Sequence, residues 1–493
     1  MLDRIGALLN TWEAAKQTRW YRLVGVALAV AVLLVGRFAP APAGLSSTGW
    51  LAASITAVMA LLWVGEVVPM AITSLLPVVL FPAFGLATVR GTAANYMDPM
   101  ILLMLGGFVL GHAMEAVGLH RRLAAAVLSP AFVRSSPRRV LFAVMATTAA
   151  LSALMSNTAT ALMMMPLAAS IADSARIEGR QRTAFPLGVA YAASIGGCAT
   201  LIGTPPNAVL AGLAAKLVHH PISFASWMIA GVPFVILALP AAWWAVGRVV
   251  IPLPATTERP IEPPPTSPWD STQAAVALVV GGALIAWVTR APIALGAVRI
   301  PGWSEWLSLD VDDGWVAVAL TCALFLLPAR PQDRHKFLLR WSEVERAIPW
   351  GVLLLLGGGF ALAEVIGKTG LTEWLAGYCT RLADLPVAAA TLVLCFGMVA
   401  FTEFVSNTAA TQVAIPLLAA AATQAHVAPL TWMVPATLAA SCGFMMPAGT
   451  APNAIATEGG GVRPADMVFA GFFVNLWCGA VAALTAAFAA PWM

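Results

Sequence analysis

The sequence predicts an all-α polytopic membrane protein made of two inverted repeats. Composition is the first reason: of 493 residues, 60% are hydrophobic and only 10% are charged. A soluble domain carries charge on about a quarter of its residues, so this chain needs a bilayer as part of its solvent. The second reason is an internal duplication. Met155-Ser156-Asn157-Thr158-Ala159-Thr160 returns as Val405-Ser406-Asn407-Thr408-Ala409-Ala410-Thr411. Each copy follows a glycine stretch, Leu105-Gly106-Gly107 or Leu356-Gly357-Gly358-Gly359. Each precedes a Gly-Thr…Pro-Asn element, Gly203-Thr204-Pro205-Pro206-Asn207 or Gly449-Thr450-Ala451-Pro452-Asn453. The offset is 250 between the serines, 246 between the last asparagines and 252 between Gly118-Leu119 and Gly370-Leu371. Motifs in one order at nearly constant offset make a repeat. The third reason is charge placement. Threaded with its N-terminus in the cytoplasm, the chain puts 20 of its 27 Lys and Arg on cytoplasmic segments, and the second repeat then runs opposite to the first.

Residues 1–21 are read as a cytoplasmic lead. Arg19 and Arg22, the apolar run 23–35 and the Ala-Pro-Ala-Pro-Ala from Ala39 resemble a signal peptide. The polar stretch before them is long for that role and a second apolar segment follows at once, so the expectation is an uncleaved first span. The first repeat covers 22–251. It holds spans at 22–38, 49–64, 67–86 and 98–127, an interrupted segment at 138–172, a helix over 184–216 broken at 203–206, and a span at 224–250. A linker, 252–268, has seven prolines and mixed charge and reads as a solvated, extended cytoplasmic crossing. The second repeat covers 269–493, with spans at 271–290, 313–329 and 348–380. An interrupted segment at 388–422, a helix over 430–456 broken at 449–452 and a span at 467–491 follow. Asp310, Asp312 and Asp313 mark a polar loop after Arg290. Segments 138–172 and 388–422 are too long for one crossing. The Ser-Asn-Thr at each midpoint predicts a re-entrant hairpin, tolerated at depth only where protein or a water-filled cavity satisfies the backbone. About eleven spans and two hairpins result.

Several function classes are disfavoured. No basic run interleaved with aromatics points to nucleic acid. Cys198, Cys322, Cys379, Cys395, Cys442 and Cys478 are scattered without metal or redox spacing and read as reduced packing residues. No HExxH or GxSxG is present and no histidine lies near either triplet, so an intramembrane enzyme is a poor fit. Polar centres inside apolar repeats are instead the pattern of a secondary transporter, and two broken half-sites argue against an open channel.

The chemistry follows from the residue types. Hydroxyl, amide and carbonyl oxygens suit a hard cation such as Na+, and free N–H groups at helix starts suit an anion. Proline at 205–206 and 452 breaks the ladder, and glycine lets backbone approach an ion. No Lys or Arg lies inside these elements, so an anion there is balanced by helix ends, donors and co-bound cations, a route to symport. Glu66, Asp98, Glu115, Glu364 and Glu403 are intramembrane carboxylates. Most of these sit near predicted span ends, where a solvated or capping role is expected. Glu403, three residues before Ser406, is the candidate for a support or proton role. His112 is expected to be a satisfied packing residue.

These motifs, together with Trp63-Val64-Gly65-Glu66-Val67-Val68-Pro69, Gly118-Leu119-His120-Arg121-Arg122 and the stretch Pro349-Trp350-Gly351 leading into Gly357-Gly358-Gly359, resemble the divalent anion/sodium symporter family from about residue 45 onward. The resemblance implies an inverted-repeat transporter of the elevator type, a homodimer in the plasma membrane, no organic cofactor, and sodium-coupled symport of C4-dicarboxylates. A sodium-independent exchanger and a citrate or sulfate transporter share the fold. It further implies a first Na+ site at Ser152, Ser156, Asn157 and Gly203, and a second at Thr402, Val405, Ser406, Asn407 and Gly449. Substrate carboxylates would meet Ser156, Asn157 and Thr158 on one side and Ser406, Asn407 and Thr408 on the other, with Thr204, Pro205, Thr450 and Ala451 lining the pocket. Ala451 departs from the family, where many members carry proline.

Overall fold

The computed structural model describes residues 18–257, 260–263, 268–295, 298–328, 337–377 and 385–489. The expectations on residues 1–17, on Cys379 and on 258–259 and 264–267 of the linker lie outside them. Helix α1, Arg19–Phe38, starts at Thr18, whose hydroxyl accepts the Tyr21 N–H at 3.2 Å. Helix α2, Ser47–Gly65, starts the same way at Ser46. These side chains satisfy donors that the first helical turn leaves open. Then come α3 (Met70–Thr73), α4 (Leu76–Ala83), α5 (Val89–Ala94), α6 (Pro99–Ala116) and α7 (Leu119–Leu128). A helical pair, α8 (Pro137–Ser152) and α9 (Asn157–Ser174), is followed by a broken helix, α10 (Ala184–Gly197) and α11 (Pro205–Leu217), and by α12 (Phe224–Trp244). The second half begins with α13 (Ser271–Arg290) and α14 (Asp313–Leu324). From α15 onward it repeats the order of α6–α12. The elements are α15 (Trp350–Lys368), α16 (Leu371–Ala376), the pair α17 (Val387–Thr402) and α18 (Asn407–Gln424), the broken helix α19 (Leu430–Ala440) and α20 (Ala451–Glu458), and α21 (Pro464–Ala489).

Among the described residues, seven helical stretches are long and apolar enough to cross a membrane: Arg19–Phe38, Ser47–Gly65, Val89–Ala116, Phe224–Val250, Ser271–Arg290, Trp350–Lys368 and Pro464–Thr485. The chain is a multi-pass membrane protein. One buried core joins the two halves. Within it the Tyr191 hydroxyl of α10 bonds the carbonyls of Phe444 and Met467 from the second half, at 2.9 and 2.8 Å.

The structure departs from the sequence reading where hydropathy alone was the guide. The segment expected as one span over 98–127 is two helices, because Gly118 takes a left-handed conformation at φ 68°. The 348–380 segment breaks likewise at Gly370, φ 73°. Only glycine adopts that region at no steric cost, and the chain turns there. The 67–86 span is two short helices, α3 and α4. The loop after Arg290 contains a two-stranded antiparallel hairpin, β1 (Ile293–Leu295) and β2 (Val298–Ile300). The linker is not simply solvated. Leu253 and Ile261 are buried, the Ile261 N–H donates to Arg134 O at 3.0 Å, and Arg138 Nε donates to Leu253 O at 2.7 Å.

Alanine at Gly118 or Gly370 meets empty space or only a distant carboxylate, so its cost is backbone strain. Each substitution should destabilise the protein by about 1–2 kcal/mol, read as a lower melting temperature in detergent. An unchanged melting temperature would mean that neither turn is held in the left-handed conformation.

Candidate functional site

Four helices start at one place. Helix α9 opens at Ser156, whose hydroxyl accepts the Ala159 N–H at 3.2 Å, and α18 opens at Ser406. Helix α11 opens at Thr204 with Pro205 and Pro206 in its first turn. Helix α20 opens at Thr450, whose hydroxyl accepts the Asn453 N–H at 3.3 Å. Proline suits a first turn, where its missing N–H removes no helical bond. All four cap residues line one cavity of about 2050 Å³. Open N–H groups and four positive helix ends therefore face one space, an arrangement that favours an anion without any basic side chain.

Helix ends of the opposite sign lie just behind. In the first half, Ser152 Oγ lies 2.8 Å from Asn157 Oδ1 and donates to Ala193 O at 2.7 Å. In the second, Thr402 Oγ1 lies 2.7 Å from Asn407 Oδ1 and donates to Ala440 O at 2.7 Å. Behind these, Asn207 Nδ2 donates to Gly197 O at 3.0 Å and Thr200 O at 2.7 Å. Asn453 Nδ2 matches it with Gly443 O at 2.9 Å and Met446 O at 3.0 Å. Both asparagines are fully buried, and they satisfy carbonyls that the breaks have freed. A Cβ on Gly203 would stand 2.4 Å from Gly197 O and 2.8 Å from Ser152 O. Only glycine admits an approach this close.

One oxygen-rich cluster per half results. The amide atom of Asn157 that faces Ser152 Oγ also lies 3.0 Å from Ala193 O and 3.2 Å from Gly203 O. Turned as NH2, it donates to these oxygens. Turned as oxygen, it completes a set of neutral oxygens, and neighbours decide which way an amide turns. A hard cation selects the second arrangement. Among the described residues, no cluster of three His, Cys, Asp or Glu is arranged to hold a metal ion.

The two halves differ in charge beside the clusters. Where the first has Ala153, the second has Glu403. Its buried carboxylate accepts the N–H groups of Met445 and Met446, both at 2.9 Å, and Asn475 Nδ2 at 2.6 Å. It braces the second break and sets a carboxylate next to the second cluster, where a Cβ on Gly449 would lie 3.6 Å from Glu403 Oε2.

Ser156, Asn157, Thr158, Thr204, Pro205, Ser406, Asn407, Thr408, Thr450 and Ala451 all line the cavity, as do Val405 and Gly449. Ser152, Gly203 and Thr402 lie behind its wall. Glu66, Glu115, Ala347, Glu458 and Arg463 also line the cavity, all exposed. Asp98 caps α6 through Met100 N–H at 3.0 Å, the role expected of a carboxylate near a span end. His112 is not a satisfied packing residue. It lines the cavity, and its Nδ1, 4.0 Å from Glu115, has no hydrogen-bond partner. Sequence reasoning missed Asn475 and Arg463. Asn475 was visible as an amide inside an apolar span. Arg463 carried no local signal, because only the fold turns it towards the cavity.

A family model described as a citrate transporter matches residues 60–437. The sodium-dependent dicarboxylate transporter SdcS of Staphylococcus saprophyticus is 33% identical over 488 residues, covering 95% of this chain and 92% of that protein. SdcS of Staphylococcus aureus is 33% identical over 473 residues, covering 92% and 88%. The crystal structure of the YdaH transporter of Alcanivorax borkumensis, described as having an unusual topology, superposes with a TM-score of 0.55 at 13% identity. It covers 80% of this chain and 87% of that one, a likeness of fold.

Replacing Glu403 by Gln turns an NH2 donor towards N–H groups that now donate to a carboxylate oxygen. The expected loss is about 1–3 kcal/mol, seen as a lower melting temperature. A melting curve that matches the unmodified protein would remove the bracing role of Glu403.

Proposed function

This chain belongs to the citrate-transporter (CitMHS) and divalent anion/sodium symporter family, and we propose that it is a secondary active transporter that carries C4-dicarboxylates such as succinate, malate and fumarate across the plasma membrane with sodium. The observation that carries this reading is the convergence of four helix N-termini in front of two clusters of neutral oxygens. The names of its relatives supply the cation and the class of anion.

In this reading Ser152, Ser156, Asn157 and Gly203 hold one Na+. Thr402, Val405, Ser406, Asn407 and Gly449 hold a second, with Glu403 beside it. One substrate carboxylate meets Ser156, Asn157 and Thr158, and the other meets Ser406, Asn407 and Thr408. Thr204, Pro205, Thr450 and Ala451 complete the wall. Asn157 and Asn407 each turn oxygen to a cation and NH2 to the anion, so each ligand pre-orients the amide for the other. A dianion with two sodium ions is neutral, which lowers the cost of moving the load through the protein. Glu66, Glu115, Glu458 and Arg463, which line the cavity and are exposed, lie on segments that the charge bias assigns to the cytoplasm. The conformation is then inward-facing, with the N-terminus inside. Alternating access follows if the hairpins and broken helices, α8–α12 and α17–α21, move as an elevator against the other helices of each protomer in a homodimer. The work is transport, with no catalytic step assigned.

The test is uptake of radiolabelled succinate into proteoliposomes. An inward sodium gradient should drive uptake, and replacing sodium by choline should abolish it. Asn157→Ala and Asn407→Ala should each reduce the rate by about a hundredfold, as loss of charge-assisted hydrogen bonds of 1.5–3 kcal/mol to both ligands requires. Sodium-independent uptake that needs internal dicarboxylate would replace symport by exchange, and normal uptake by both alanine variants would remove the site.

A further inference from the structure

We propose that two pseudo-symmetric ionic latches, one observed and one formed in the opposite state, set which side of the membrane the cavity faces. This rests on reading the chain as an alternating-access carrier whose cavity is open to the cytoplasm.

The first latch lies on segments that the charge bias assigns to the outside. Lys216, in the last turn of α11, directs its ammonium at two acceptors: Asn95 Oδ1 at 2.9 Å and Asp98 Oδ2 at 3.2 Å. Asn95 Nδ2 donates onward to Glu364 Oε2 at 2.7 Å, and Glu364 Oε1 accepts from Lys368 at 2.5 Å. The Lys216 and Asp98 side chains are largely shielded, at 23% and 16% exposure. Glu364 and Lys368 belong to α15, and Asp98 caps α6. Lys216 alone belongs to the broken helix that carries the site. Helix α11 is packed hard against α15 here, since a Cβ on Gly212 would stand 2.3 Å from the Phe360 ring. The network joins the site-bearing helix to its neighbours and must open before that helix can slide.

The repeat supplies the counterpart. Lys216 lies nine residues after Asn207, and Arg463 lies ten after Asn453. Glu364 lies six residues before the hinge glycine Gly370, and His112 lies six before Gly118, with Glu115 three before it. Arg463, in the loop after α20, therefore lies in the second half near the place that Lys216, at the end of α11, holds in the first, and His112 stands on α6 where Glu364 stands on α15, with Glu115 one turn further on. Arg463, His112 and Glu115 all line the open cavity. At present Arg463 is held by Asp466, at 2.9 and 3.0 Å, a carboxylate that it shares with Arg180. Asp466 thus has a second guanidinium to keep when Arg463 turns away. Inverted repeats exchange conformations when access switches. The contact that α11 now makes with α15 becomes the contact that α20 makes with α6. Lys216 leaves Asp98 and Asn95, and Arg463 meets Glu115 and His112 as the cytoplasmic side closes. Each state is thereby held by one cation that the other state releases.

The test reads sidedness directly. Leu162→Cys is introduced on α9 in the cavity wall, in a chain whose native cysteines are replaced and which still takes up succinate. A membrane-impermeant maleimide is applied from either side of oriented vesicles. Lys216→Gln and Asp98→Asn should raise the outside-to-inside labelling ratio by roughly fivefold, about the effect of losing one partly shielded ion pair. Glu115→Gln and Arg463→Gln should lower it. The exchanged pair Lys216→Asp with Asp98→Lys should restore the native ratio, and Lys216→Arg should leave it near native, which a variant that merely misfolds would not do. Equal ratios in all variants, or shifts of the same sign for both groups, would overturn the latches. Absence of sodium-driven uptake by the unmodified chain in the same vesicles would instead overturn the carrier reading.

Discussion

A helix broken inside an apolar body leaves N–H and C=O groups that must find partners, and the structure turns on how these are found. Asn207 and Asn453 are the central pieces. Each is buried, and each spends its amide donors on two carbonyls of its own break. That holds the incoming helix end and the outgoing helix start apart at a fixed spacing. The hairpin tips are pinned to the same breaks by Ser152 on Ala193 and by Thr402 on Ala440. Carbonyls held together behind the cavity suit a cation, and N–H groups left open in front suit an anion. Stability and ligand preference are consequences of one constraint, that no backbone polar group is left buried and unpaired.

The same geometry explains how a strongly charged anion can be held without a lysine or arginine at the caps. Each helix start carries roughly half a positive charge, so four of them approach the charge of a dicarboxylate. The amides of Asn157 and Asn407 lie between the oxygen clusters and the cavity. A cation that fixes the oxygen inward fixes the NH2 outward. Coupling of this kind is reciprocal, since whatever the cation does for the anion the anion does for the cation. Glu403 makes the halves unequal, because the second cluster has a carboxylate beside it and the first has Ala153.

Much of this was legible in the sequence. The paired triplets fell on the hairpin tips and the Pro-Asn elements on the helix starts, because proline and glycine act locally and their effect does not wait for tertiary structure. The turns at Gly118 and Gly370 were not read from the sequence, because only backbone geometry distinguishes a left-handed glycine from a helical one. The linker was read as solvated from its prolines, whereas Leu253 and Ile261 pack down at intervals too sparse to register as a pattern. His112 was misjudged for the reason that hid Arg463. Whether a polar side chain faces protein or a cavity depends on elements hundreds of residues away.

The most direct measurement of the central claim is the affinity of the purified protein for succinate as a function of sodium concentration, by calorimetry at constant ionic strength with choline. Shared amides and two oxygen clusters predict that the affinity rises steeply with sodium, with a slope approaching two in a plot of logarithm against logarithm. An affinity that is the same in choline as in sodium would contradict the account, because the helix ends alone would then hold the anion and the oxygen clusters would have no part in its binding.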